Sequence, residues 1–196
     1  MAMNWREITI GFALTGSHCT YAEVMPQVEQ LVTLGVNVIP IVSYTLQSTD
    51  TRFGSADHWK STLQTITGHR LIETIVDAEP LGPKKQLDLL VIAPCTGTTL
   101  SKLANAITDS PVLMAAKAQM RNQRPIVIGI STNDALGLNA ANLAKLLVMK
   151  HMYFVPFGQD QPENKPNSLV AKMERLIPSI ESAISGKQLQ PLLLEY

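Results

Sequence analysis

Val91-Ile92-Ala93-Pro94-Cys95-Thr96-Gly97-Thr98-Thr99-Leu100-Ser101-Lys102-Leu103-Ala104 runs an apolar strand into a small polar loop and then a helix. From Leu87 to Ala93 only Asp88 interrupts the apolar run, the pattern of a parallel strand buried on both faces. Pro94 has no N–H to donate, so the strand is expected to stop there. Residues 95–99 carry no side chain larger than threonine, which lets backbone approach a ligand, and Thr98 or Thr99 is expected to cap the helix. Unpaired N–H groups at a helix start favour an anionic or carbonyl group. The same residues also fit an ordinary strand-to-helix turn.

Working outward, strands alternate with helices. Ile8–Leu14 is a strand ending at Thr15-Gly16-Ser17, and Tyr21–Leu34 has helical spacing through Val24, Val28 and Leu31. Gly35 ends that helix, and the β-branched run Val36–Val42 is a second strand ending at Ser43. Residues 43–56 read as irregular. Asp57 is expected to cap a helix to Ile66 that Gly68 ends, and Leu71–Val76 to form a third strand. Glu79-Pro80-Leu81-Gly82-Pro83 reads as a loop.

Beyond the central motif, helices are expected over Thr99–Ile107 and Pro111–Asn122, the latter capped by Asp109 or Ser110. Ile126–Ile130 is a fifth strand, Ala140–Lys150 a helix and Met152–Val155 a sixth strand closed by Pro156. Residues 157–167 read as loop. Ser168 is expected to cap a last helix to Ser185 that Pro178 kinks. Such alternation predicts an α/β fold, a Rossmann-like, doubly wound parallel six-stranded sheet with helices on both faces. Strand order 3-2-1-4-5-6 sets Thr15-Gly16-Ser17 beside Pro94 to Gly97 at the topological switch point, with Ser43 and Ser131 on the rim.

Composition narrows the function. The chain has 196 residues, enough for one sizeable domain spanning 1–196, and 45% of them are hydrophobic. Its 16 basic and 16 acidic residues balance, which argues against a nucleic-acid groove. No apolar run approaches the ~18 residues of a membrane span, and no leader pattern opens the chain, so a cytosolic protein is expected. Cys19 and Cys95 form no disulfide framework, and the four histidines lack metal-ligand spacing.

Gly11 and Gly16 have P-loop spacing, but Ser17 and His18 stand at its lysine and Ser/Thr positions, which argues against triphosphate hydrolysis. No G-x-G-x-x-G is present. The first loop suits a monophosphate at a helix start, or a capped helix with no ligand. His18 and Cys19 lie in no G-x-S-x-G elbow, so an acyl-transfer nucleophile is not expected. Cys95 reads as a small loop residue, although a helix start would lower its thiol pKa. Lys117 and Arg121 lie one turn apart, as would suit a dicarboxylate or a solvated surface.

Thr15-Gly16-Ser17, Pro94 to Thr99 and Lys102-Leu103-Ala104-Asn105-Ala106-Ile107-Thr108-Asp109 resemble the flavoprotein family of FMN-dependent cysteine decarboxylases. Thr51-Arg52-Phe53-Gly54, Ser131-Thr132-Asn133-Asp134 and Tyr153 to Asp160 extend the resemblance over nearly the whole chain, toward a subgroup acting on a small dicarboxylate. The resemblance implies FMN, with Gly16, Ser17 and Ser43 on its phosphate and Thr96, Gly97, Thr98 and Thr99 along the ribityl chain and ring edge. Ser131, Thr132 and Asn133 flank the isoalloxazine, and Thr15, Pro94 and Cys95 complete the set. It further implies an oxidoreductase subunit, a partner subunit carrying NADP, and a homo-oligomer, with trimers expected. Arg52, Lys117 and Arg121 are the candidate ligands for substrate carboxylates.

Three departures accompany it. The family's Pro-x-Met-Asn clamp is reduced to Ser131-Thr132-Asn133. Glu79-Pro80-Leu81 occupies the region of the decarboxylases' catalytic histidine, and Thr98 stands where the motif has asparagine. No catalytic residue is assigned. Two other readings stay open: an assembly subunit that keeps the fold without catalysis, and an FMN-dependent cysteine-type decarboxylase.

Overall fold

In the computed structural model, which describes residues 3–195, β1 (Thr9–Leu14), α1 (Tyr21–Thr33) and β2 (Asn37–Val42) form the first β-α-β unit. Val24, Val28 and Leu31 bury one stripe of α1, as their three- and four-residue spacing requires. Where irregular chain was expected after β2, Ser43 caps a short helix, α2 (Tyr44–Ser48). Helix α3 (Ala56–Thr67) is capped by Ser55 rather than Asp57 and ends at Gly68, whose φ is +68°.

The expected third strand shrinks to one parallel bridge, Ile72 to Ile41. Thr74 then accepts a hydrogen bond from Asp77 N–H at 3.0 Å and turns the chain into α4 (Ile75–Ala78), continued by a 3-10 turn over Glu79–Leu81 in place of the expected loop.

β3 (Leu89–Cys95) is buried at every position and runs past Pro94, correcting the expected stop. Its register against β4 (Ile126–Thr132) shifts between Ile92 and Cys95, so the missing N–H of Pro94 falls where the ladder is already interrupted. The cap of α5 (Gly97–Ala104) is Thr96, not Thr98 or Thr99: its Oγ1 accepts from Thr99 N–H at 3.2 Å. Helix α6 (Pro111–Arg121) begins as expected, Ser110 capping and Pro111 leading. Helix α7 (Ala140–Leu147) is shorter than expected and leads to β5 (Met152–Phe154).

Parallel pairing runs β2-β1-β3-β4-β5, with the Ile72 bridge outside β2, which is the expected order with its third strand reduced. Two short strands depart from the expected loop. β6 (Phe157–Gly158) and β7 (Leu169–Ala171) pair antiparallel, and β7 joins the end of β4 through Ser131–Val170 and Thr132–Leu169. The last helix, α8 (Leu176–Ile184), therefore starts later than expected, and Pro178 lies in its first turn, where the missing N–H costs no intrahelical bond.

Helices cover the sheet in two layers: α1 packs with α3 and α8, while α6 packs with α4 and α5, and α5 with α7. The buried apolar side chains form one continuous cluster through the sheet. No helix among the described residues is long and apolar enough to cross a membrane.

Candidate functional site

Thr15 joins the two loops at the sheet's carboxyl edge. It is 1% exposed; its Oγ1 donates to the Pro94 carbonyl at 2.7 Å and accepts from Thr96 N–H at 3.0 Å. A threonine hydroxyl can do both at once. The Tyr21 hydroxyl donates to the Thr15 carbonyl at 2.7 Å, which ties the same junction to α1, and burial pushes the Tyr21 pKa up. Beside it the chain passes so close to α2 that a Cβ on Gly16 would stand 2.8 Å from Thr45 Cγ2.

On one side of Gly16 and Thr96 opens a cavity of about 370 Å³. The cap residues Ser43, Thr96 and Ser110 line it, so three helices start at its wall, and Thr45, Thr98 and Thr99 add hydroxyls. Its ionic groups, Lys102 and Asp109, pair with each other at 2.6 Å.

A second cavity, of about 310 Å³, opens on the other side and is also lined by Gly16 and Thr96. Ser131 Oγ forms its floor, 2.8 Å from Ser17 Oγ and 2.8 Å from Thr20 Oγ1. Thr132, Asn133, Cys19, Asp134, Asp160 and Lys165 complete the wall. Asp134 accepts from Thr132 Oγ1 at 2.5 Å and Asn139 Nδ2 at 2.7 Å, and this polar cluster presses on Gly97.

Two groups lie beneath. Cys95 is fully buried, and burial pushes its thiol up to about 12, so the lowered pKa expected of a helix start is not found. His18 is 8% exposed, packs at a tilt with its ring centroid 4.9 Å from that of Tyr21, and has no partner on either nitrogen; burial lowers its pKa.

The structure thus gathers Thr15, Gly16, Ser17, Ser43, Thr96, Thr98, Thr99, Ser131, Thr132 and Asn133 around two cavities that share Gly16 and Thr96, with Pro94, Cys95 and Gly97 buried behind them. Arg52, Lys117 and Arg121 line neither cavity. The Arg52 guanidinium lies 4.8 Å over the Phe53 ring, and Lys117 borders a separate hollow with Leu113 and Met120. Sequence reasoning missed Thr45, Ser110, Lys102 and Asp109 as lining residues. For the last two a signal existed, since both stand in the family-like segment from Lys102 to Asp109. Asp160 had the same kind of signal, closing the family-like segment from Tyr153, whereas Lys165 had none, because β6 and β7, which carry its loop, leave no pattern in the sequence.

The family model described as Flavoprotein matches residues 2–182. The B-type subunit of dipicolinate synthase from Bacillus subtilis (strain 168) is 59% identical over 186 residues, covering 95% of this chain and 93% of that protein. The crystal structure of the B-type dipicolinate synthase subunit from Bacillus halodurans C aligns with a TM-score of 0.91 at 56% identity, covering 98% of this chain and 99% of that one. The FMN-dependent cysteine decarboxylase SpaF aligns with a TM-score of 0.66 at 17% identity, covering 92% and 97%, a likeness of fold alone.

Proposed function

Because the chain belongs to the Flavoprotein family, we propose that it is the flavin-binding subunit of a dipicolinate synthase. In this reading it contributes to oxidising a dihydrodipicolinate-type precursor to pyridine-2,6-dicarboxylate, in the mother-cell cytoplasm of a sporulating bacterium. Its partner is the A-type subunit of dipicolinate synthase, carrying NADP, and the chain itself assembles as a homo-oligomer.

One observation carries the reading: the Thr15 junction ties the β1 and β3 exits together, with a hydroxyl-lined cavity on either side. The donor set fits FMN. Capped helix starts and neutral hydroxyls suit a phosphate and a ribityl chain, and the one acid in the first cavity is neutralised by Lys102. Gly16, Ser17 and Ser43 would hold the phosphate, Thr96 to Thr99 the ribityl chain and ring edge, and Ser131 to Asn133 the ring's other side. Thr15, Pro94 and Cys95 supply the buried frame. Bound there, an oxidised flavin supplies a two-electron acceptor for a dihydropyridine. The chain's part is orientation, through hydroxyls fixed by one another. Arg52, Lys117 and Arg121 serve substrate carboxylates in this scheme only where a neighbouring subunit's crevice faces them.

Titrating FMN into the purified chain tests this. A flavin absorbance shift and a retained yellow colour are expected, both weakened by Ser17→Ala and Ser43→Ala; their absence from the unmodified protein sinks the flavin reading.

A second reading, the assembly subunit, is favoured by apolar exposure at and near α7, where Leu138 is 95% and Val148 84% exposed. It predicts activity in the mixed complex that survives Ser17→Ala and Ser43→Ala but is lost on Leu138→Asp.

A further inference from the structure

Among the described residues the second cavity has one cation, Lys165, on the loop joining β6 to β7. That loop is fixed beside the crevice because β7 pairs with Ser131 and Thr132 of β4. Its own bonds hold it as well. Ser168 Oγ donates to Asp160 Oδ1 at 2.6 Å, Gln159 Nε2 to the Pro166 carbonyl at 2.9 Å, and Lys165 N–H to the Gln161 carbonyl at 2.7 Å.

The ammonium is positioned but only loosely engaged. Lys165 Nζ lies 3.6 Å from Asp160 Oδ2, beyond the ~2.8 Å of a tight charge-assisted hydrogen bond, whereas Lys102 closes on Asp109 at 2.6 Å. A lysine ammonium has three donors, so it can turn one toward a ligand. The two acids on the wall also accept from other protein donors: Asp134 from Thr132 and Asn139, and Asp160, through Oδ1, from Ser168. Opposite stand the hydroxyls of Ser17 and Thr132 and the amide of Asn133.

We propose that Lys165 binds one carboxylate of a planar dicarboxylate in the second cavity, and so distinguishes a diacid from a monoacid. The proposal rests on reading the chain as the flavin-binding subunit of a dipicolinate synthase. It assigns carboxylate recognition to a residue other than Arg52, Lys117 and Arg121, none of which reaches this cavity. The hydroxyl and amide donors serve the ligand's remaining polar edge.

The test is calorimetric titration of pyridine-2,6-dicarboxylate and pyridine-2-carboxylate into the full chain, FMN-loaded and FMN-free, as wild type, Lys165→Ala and Lys165→Arg. Retention of FMN is measured separately for each. Wild type should prefer the diacid; Lys165→Ala should weaken diacid binding about tenfold and bring the two ligands to parity, and Lys165→Arg should keep the preference. All three should retain FMN equally. Equal diacid affinity in wild type and Lys165→Ala overturns the proposal. So does a Lys165→Ala chain that loses FMN instead, which assigns the ammonium to the flavin phosphate. A chain that never retains FMN, yet whose diacid binding responds to Lys165, supports the proposal and refutes the flavin reading alone.

Discussion

The hydroxyl oxygens of Ser17 and Ser131 lie 2.8 Å apart and join the exits of β1 and β4 across the intervening β3. Thr20 holds Ser131 from a second side, also at 2.8 Å. Three hydroxyls, two from the segment after β1 and one from the end of β4, thus fix one wall of the crevice before any ligand arrives. Ser131→Ala removes the shared partner and leaves buried Thr20 with only the longer contacts to Ser17 Oγ at 3.4 Å and Cys19 Sγ at 3.8 Å. A loss of about 1 kcal/mol is expected, read as a lower urea midpoint at unchanged m-value.

Thr15→Val should cost more. Valine keeps the volume but strips both bonds at once, leaving the Pro94 carbonyl and the Thr96 N–H without the partner they share. Two buried polar groups left unsatisfied predict about 2–4 kcal/mol by chemical denaturation. Thr15→Ser keeps the oxygen and should lose about 1 kcal/mol, for the missing methyl. A valine variant as stable as the serine one would show the junction does not matter.

His18 makes stability depend on pH. Burial lowers its pKa and neither ring nitrogen has a partner, so the folded chain keeps the ring neutral. The unfolded chain takes up a proton as pH falls past about 6.5, and stability drops wherever the unfolded state binds more protons. The Tm should therefore fall from pH 7 toward pH 5 and level off below the folded-state pKa. His18→Phe, which can keep the contact with Tyr21, should flatten that interval relative to wild type. Parallel Tm–pH curves for the two proteins would assign the dependence to other groups.

Long elements were legible and most short ones were not, the three-residue β5 excepted. The strands β1, β3 and β4 announce themselves because each is buried on both faces, so apolar residues run almost without interruption. From their order the meeting of Thr15 with Thr96 follows. Pro94 misleads because its missing N–H matters only in an unbroken ladder, and the shift between Ile92 and Cys95 depends on β4, distant in sequence. The strands β6 and β7 span two and three residues, too few to display a period, and they exist because the end of β4 offers an edge. Lys165 depends on them for its place, so no local pattern marks it. Arg52, Lys117 and Arg121 stand out by charge, which says nothing of the direction an exposed side chain faces.

Gly97→Ala probes how the crevice is held. Gly97 opens α5 without a positive φ, and alanine is the better helix former, so propensity alone predicts a more stable protein. Sterics predict the reverse. A Cβ there would stand 2.6 Å from Thr132 Oγ1 and 2.8 Å from Asn139 Nδ2, with Asp134 also in its path. Those groups cannot swing away cheaply, because Asp134 accepts from both of the others and Asn142 Nδ2 donates to Asn139 at 2.9 Å. Either the start of α5 retreats, taking Thr96 and Thr99 with it, or the cluster breaks. Both outcomes predict a loss of about 1–3 kcal/mol in stability. Retreat predicts in addition that FMN affinity, followed by fluorescence quenching, falls about tenfold. Adding Asp134→Ala separates the two: it removes one colliding group, so the double variant should be more stable than the sum of the single losses by about 0.5–2 kcal/mol. Strict additivity would mean that the backbone gives way elsewhere and that Gly97 does not set the position of the helix.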